Sequence, residues 1–191
     1  MGSTYKGREC GSLGDLAAFS FHETKNIISG EGGALTINNQ DMIARAEIIR
    51  EKGTNRSQFS RGQVDKYTWV DVGSSFLPGE LIASYLYAQL EMASLINKRR
   101  LSIFDRYMEA FTDLANAERV HLPRWLDACT GNGHMFYLLM KNIDDRNTFI
   151  AYMRDAGIIT PFHYVPLHSA PAGLEYGHVD GPLDVTDNIS K

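Results

Sequence analysis

The sequence predicts an α/β chain, and three observations point there. Apolar residues recur at three- and four-residue intervals through 79–114, which is helical spacing. Short apolar runs at 16–21 and 33–38 flank a glycine-rich turn, which reads as two strands and their connection. From Glu118 onward the pattern alternates strand, helix and strand.

Met1 to Gly14 is glycine-rich and reads as loop, with a short strand near Thr4-Tyr5. Leu16 to Phe21 reads as a short buried strand, and Gly33 to Asn38 as a second with Ala34-Leu35-Thr36-Ile37 as its body. Asp41 to Lys52 is helical, because Met42, Ile43, Ala46 and Ile49 share a face. Asp41 is the expected cap and Gly53 the expected C-terminal stop. Residues 53–75 form the longest polar stretch and read as a loop. Leu81, Tyr85, Ala88, Leu90, Leu95, Leu101, Phe104, Tyr107 and Phe111 predict two long helices with a bend near Ala93-Ser94. Their aromatic stripe reads as core, and Lys98-Arg99-Arg100 as a solvated face. Val120-His121-Leu122 and Met135 to Met140 read as strands, Asp145 to Ala156 as a helix closed by Gly157, and Ile158-Ile159-Thr160 as the start of another strand. A domain boundary is expected near residue 94, giving 1–93 and 94–191.

The apolar share is 43% and the charged share 22%, as in an ordinary globular protein. A net charge of -4 argues against nucleic acid or an anionic membrane surface as a partner. No stretch approaches the roughly 20 apolar residues of a membrane span. Cys10 and Cys129 have neither zinc nor redox spacing and suit a reducing, cytoplasmic setting.

The candidate chemistry centres on Ser20-Phe21-His22-Glu23-Thr24-Lys25-Asn26, followed by Gly30-Glu31-Gly32-Gly33. A lysine amine becomes a nucleophile toward carbonyls when burial or nearby cations lower its pKa. Lys25 follows an apolar run, and the hydroxyl of Ser20 is placed to hold a phosphate oxygen. On residue chemistry alone two readings stand: an amine that holds an aldehyde cofactor, or an ordinary exposed lysine before a glycine turn. The stretch with Arg56, Arg61, Lys66, Tyr67 and Trp69 likewise reads either as a clamp on an anionic nucleotide or as a surface loop. In Pro161-Phe162-His163-Tyr164-Val165-Pro166-Leu167-His168, the two histidines are wrongly spaced for a helical metal pair. His22-Glu23 begins like a zinc protease motif, but Asn26 stands where a second histidine is needed, so no metal is expected.

The segment Gly14-Asp15 … Phe19-Ser20-Phe21-His22-Glu23-Thr24-Lys25-Asn26 … Gly30-Glu31-Gly32-Gly33-Ala34 resembles the active-site segment of the DegT/DnrJ/EryC1/StrS nucleotide-sugar aminotransferases. Arg50-Glu51-Lys52-Gly53-Thr54-Asn55-Arg56-Ser57-Gln58-Phe59 and Gly62-Gln63-Val64-Asp65-Lys66-Tyr67-Thr68-Trp69 resemble one branch of that family. That branch aminates a dTDP-linked 4-keto-6-deoxy sugar to dTDP-4-amino-4,6-dideoxygalactose for cell-surface polysaccharide of the enterobacterial common antigen type. The resemblance implies a partial pyridoxal-phosphate fold of type I: 1–93 as the later part of the large domain, 94–191 as a truncated α+β small domain. It implies pyridoxal 5'-phosphate held by Lys25, with Ser20 on its phosphate and L-glutamate as amino donor. Ser74 or Ser75 would touch the cofactor phosphate across a homodimer, although Leu77 stands where many relatives place a phosphate-binding asparagine. Arg56 and Tyr67 would contact the nucleotide, His163 and Tyr164 the sugar, and His168 would support them.

Such enzymes are about twice this length, and an Asp-Ala-Ala-Gln segment, whose aspartate meets the cofactor ring nitrogen, would directly precede Met1. The expectation is an incomplete copy. Two rivals remain: an inactive fragment with no cofactor, and a nucleotide-binding module built on the glycine cluster, which lacks P-loop spacing.

Overall fold

The computed structural model describes residues 1–191. In chain order the elements are β1 (Thr4–Tyr5), β2 (Arg8–Glu9), β3 (Leu16–Ser20), β4 (Gly33–Ile37), α1 (Ile43–Arg50), α2 (Arg56–Ser60), α3 (Glu80–Glu91) and α4 (Ala93–Asn116). They continue with β5 (Val120–His121), β6 (Cys129–Thr130), β7 (Leu139–Met140), α5 (Ile143–Asp155), α6 (Pro171–Tyr176) and α7 (Asp184–Ile189). The chain groups into two compact units: residues 1–106 with 124–135, and residues 107–123 with 136–191.

The first unit holds an antiparallel sheet in the order β2-β1-β6 and the antiparallel hairpin β3–β4. The hairpin register runs from Leu16 opposite Ile37 to Ser20 opposite Gly33. β3 is not the buried strand expected. It pairs with β4 alone, and its residues alternate between exposed and half-buried, with Leu16 44% exposed. The buried residues lie just beyond it, at Phe21 and Ile27.

A short 3-10 turn at Gln40–Met42 leads into α1, and Asn39 rather than Asp41 caps it, its side chain accepting from the Asp41 amide at 3.1 Å. Gly53 does end the helix. It sits at φ +76, and its amide donates to the Ile48 carbonyl at 2.8 Å.

The polar stretch after Gly53 is ordered. The last carbonyls of a helix lack intrahelical partners, and here the returning chain supplies donors. Ser74 donates to Ile49 at 2.9 Å and Phe76 to Arg50 at 3.1 Å. Asn55, buried, closes the stretch internally: its side-chain oxygen accepts from the Thr68 amide at 2.8 Å, and its amide group donates to the Lys66 carbonyl at 3.2 Å. Arg45 pairs with Asp71, fixing the same segment to α1.

The break between the two long helices falls at Met92, one residue before the bend expected. Phe104 is buried against Trp125, with ring centroids 5.5 Å apart. α3 behaves differently from its periodicity: Leu81 is 87% exposed, and no residue of α3 is buried.

In the second unit β5 pairs antiparallel with β7, Val120 opposite Met140. Tyr107, Phe111 and Phe136 stack with centroids between 5.1 and 6.2 Å. The strand expected over 135–140 is confined to Leu139–Met140, Leu122 lies outside β5, and Ile158–Thr160 is not a strand. A strand needs a ladder partner, and Ile158–Thr160 has none. Asn142 caps α5, its side chain accepting from the Asp145 amide at 2.9 Å, and Gly157 at φ +77 follows the helix end. Arg146 lies over the Phe162 ring at 4.7 Å and donates to the Ser190 carbonyl at 3.3 Å, which ties the C-terminal segment to α5.

Candidate active site

The connection between β3 and β4, residues 21–32, folds back on itself. Phe21 donates to Gly32 at 2.8 Å, Glu23 to Gly30 at 2.9 Å, and Ser29 to Phe21 at 2.7 Å. Gly30 at φ +83 and Gly32 at φ +148 make this return possible. Lys25 sits at the apex, its amide donating to the His22 carbonyl at 2.9 Å. Both flanks of the turn are anchored, by Phe21 on one side and by Asn26 and Ile27 on the other, all buried.

Beside the turn is a cavity of about 300 Å3, lined by Ser20, Phe21, Lys25, Asn26, Asn132 and His134 among others. This is the lower end of ordinary ligand-pocket volumes, room for one substituted ring. Ser20 and Lys25 both line the cavity. Ser20 also accepts from the His22 amide at 3.3 Å, which orients its hydroxyl oxygen. Asn132 and His134 were not singled out from the sequence; 106 and 108 residues separate them from Asn26, and no local motif marks them.

The other anticipated residues lie elsewhere. Ser74 and Ser75 are exposed at the C-terminal end of α1 and do not line the cavity. Arg56 is exposed, with its Nε 3.8 Å from Glu51. Tyr67 lies between Phe59 and Trp69, each at a centroid distance of 6.4 Å. Arg61 is engaged with Glu47 through two hydrogen bonds. His163 and Tyr164 belong to the second unit and are exposed, with ring centroids 3.8 Å apart and the rings tilted by 35°. His168 is held by Asp187 at 2.9 Å.

The donor set fits pyridoxal phosphate at two of its ends. Lys25, which lines the cavity, carries a primary amine for the aldehyde, and Ser20, which also lines it, a hydroxyl for a phosphate oxygen. No carboxylate lines the cavity to pair with a ring nitrogen.

A profile of the DegT/DnrJ/EryC1/StrS aminotransferase family matches residues 1–191. The chain belongs to that family. An uncharacterised protein of Methanocaldococcus jannaschii is 33% identical over 178 residues, covering 90% of this chain and 45% of its own length. The dTDP-3-amino-3,6-dideoxy-alpha-D-galactopyranose transaminase of Aneurinibacillus thermoaerophilus is 30% identical, covering 95% and 46%. A Streptococcus pneumoniae protein assigned as a sugar aminotransferase, solved in its PLP form, superposes with a TM-score of 0.78 at 27% identity, covering 93% and 45%. The chain spans about half the length of the curated relatives it matches. Family members are pyridoxal-phosphate-dependent aminotransferases of fold type I, and this chain is a partial α/β form of that fold. No helix is long and apolar enough to cross a membrane.

Proposed function

We propose that Lys25 carries pyridoxal 5'-phosphate in the transfer of an amino group, from an amino acid such as L-glutamate, to a ketone of a nucleotide-linked 6-deoxy sugar. The observation that carries the proposal is half-buried Lys25 lining one cavity with Ser20. Membership of the family supplies the reaction class. When bound, the cofactor supplies an aldehyde to carry the amino group and a ring that spreads negative charge.

The residues of this chain divide the remaining work. Lys25 would hold the cofactor through its amine, and the same amine, when free, would serve as general acid and base, carrying a proton between the two carbons that flank the transferred nitrogen. Ser20 would donate to a phosphate oxygen, a charge-assisted bond. The anchored turn keeps the Lys25 amine at one place, which lowers the cost of orienting the reacting groups.

Within the same proposal, the sugar is dTDP-4-keto-6-deoxy and the product dTDP-4-amino-4,6-dideoxygalactose. The blocks 50–59 and 62–69 support that choice, and the Aneurinibacillus relative acts on a dTDP sugar by its name. Arg56 and Tyr67 contact the nucleotide, His163 and Tyr164 the sugar, and Ser74 or Ser75 the cofactor phosphate of a partner subunit in a homodimer. Residues 1–93 serve as cofactor-binding domain and 94–191 as small domain, in the cytoplasm. The absence of a carboxylate from the cavity favours a second reading, a chain that binds no cofactor.

One experiment separates the two. Pyridoxal phosphate is added to the chain, the visible absorption is followed, and borohydride then fixes whatever is attached. A band, with the pyridoxyl mass on Lys25 and its loss in Lys25→Ala, supports the transaminase reading. No band supports the second. Because no carboxylate lines the cavity, the expected outcome is attachment with turnover far below ordinary enzyme rates.

A further inference from the structure

The geometry points to Asn26 and His134 as positioning residues for the Lys25 amine, acting as a hydrogen-bonded clamp between the lysine turn and the chain 108 residues later. The inference deepens the reading of Lys25 as the cofactor lysine and rests on it.

Asn26 is 7% exposed, and its side chain is fully engaged. Its amide group donates to the Asn97 side-chain oxygen at 3.0 Å and to the Asn132 carbonyl at 2.8 Å. Its oxygen lies 3.0 Å from His134 Nδ1. With both amide hydrogens given away, the oxygen is the only acceptor left. His134 must therefore donate, and its ring carries a proton on Nδ1. A bulky or misoriented partner at 134 turns that bond into a buried unpaired acceptor, beside the one residue whose direction matters.

His134 is itself fixed. Arg100, on α4, donates from Nη2 to the His134 carbonyl at 2.7 Å and from Nε to the Gly133 carbonyl at 3.2 Å. Gly133 sits at φ +63, and a Cβ there would lie 2.9 Å from the Arg100 backbone. The chain passes so close to α4 because glycine allows it. Orientation thus passes from α4 through Arg100 and His134 to Asn26, the immediate neighbour of Lys25. Three contacts from distant parts of the sequence converge on Asn26, in a turn whose lysine lines the cavity, more than burial of Phe21 and Ile27 requires.

The test uses the full chain with pyridoxal phosphate, borohydride fixation and peptide mass mapping, which counts the label on Lys25 against every other lysine. In the parent chain the label concentrates on Lys25. His134→Gln carries its amide beyond the Nδ1 position, and the Lys25 share falls about tenfold. His134→Asn places an N–H near Nδ1 and restores the share to within about twofold of the parent. The pH midpoint of the visible band moves in the Gln variant and returns in the Asn variant. Thermal unfolding by circular dichroism accompanies each. If His134→Gln unfolds, Asn97→Ala replaces it: alanine suits the helix, loses one partner of Asn26, and lowers the share about threefold. Parent-like selectivity in folded His134→Gln or Asn97→Ala overturns the clamp and leaves the Lys25 reading standing. Failure of a folded His134→Asn to rescue a defective His134→Gln also overturns it. No label on Lys25 in the parent overturns both.

Discussion

The guanidinium of Arg61 grips the carboxylate of Glu47 through two hydrogen bonds, of 2.8 and 2.7 Å. This pair staples the segment after α2 to α1. It also gives Arg61 a structural partner, so of the cations in 53–75 it is not the one poised for a phosphate.

The pair makes a pH prediction. The Arg61 hydrogen bonds hold the Glu47 carboxyl below its ordinary range, with the charge of Arg61 and of Arg50 adding to the effect. A carboxylate whose folded pKa is depressed stabilises above its unfolded pKa and loses that contribution as pH falls through the folded one. Order in 53–75 is therefore expected to weaken below about pH 4.5, the ordinary glutamate value. Glu47→Gln, with weakened bonds at every pH, flattens the acid limb. Limited proteolysis of the segment against pH measures this.

Gly53→Ala is expected to unfold the cap on α1. Gly53 sits at φ +76, and a Cβ there would collide with the Asp71 carbonyl. The Gly53 carbonyl also accepts from the Val70 and Asp71 amides at 2.8 and 3.0 Å, so a shift breaks those bonds too. A loss of about 2 kcal/mol or more follows from strain and clash together, read by chemical denaturation. Gly62→Ala, where no atom lies near a Cβ but φ is +69, costs less, about 1 kcal/mol.

Ile27 is 2% exposed, the most completely enclosed side chain of the lysine turn. Ile27→Ala should cost about 2–5 kcal/mol and Ile27→Val about 0.5–1.5 kcal/mol. The alanine variant should also lose cofactor selectivity at Lys25, because the cavity wall and the turn's anchor are the same residue.

Ser20→Ala removes the hydroxyl of a residue that lines the cavity. Half-saturation by pyridoxal phosphate, followed through the visible band, is expected to rise about tenfold, the loss of one charge-assisted hydrogen bond. Pyridoxal without its phosphate should bind parent and variant alike.

What could be read from the sequence was what short-range chemistry dictates. The hairpin around Lys25, the break near Met92 and the stop signals at Gly53 and Gly157 follow from apolar spacing and backbone freedom within a few residues. The order of residues around Lys25 likewise identified the family. The tertiary structure decided what distant segments do to one another. Ile158–Thr160 carries strand-forming side chains but finds no ladder partner. The polar run 53–75 is ordered because α1 offers it unsatisfied carbonyls. Asn26, unremarkable in its motif, is met by Asn97, Asn132 and His134. A hydrogen bond across 108 residues leaves no periodic trace, since its partners are selected by where the fold brings them and not by their spacing along the chain.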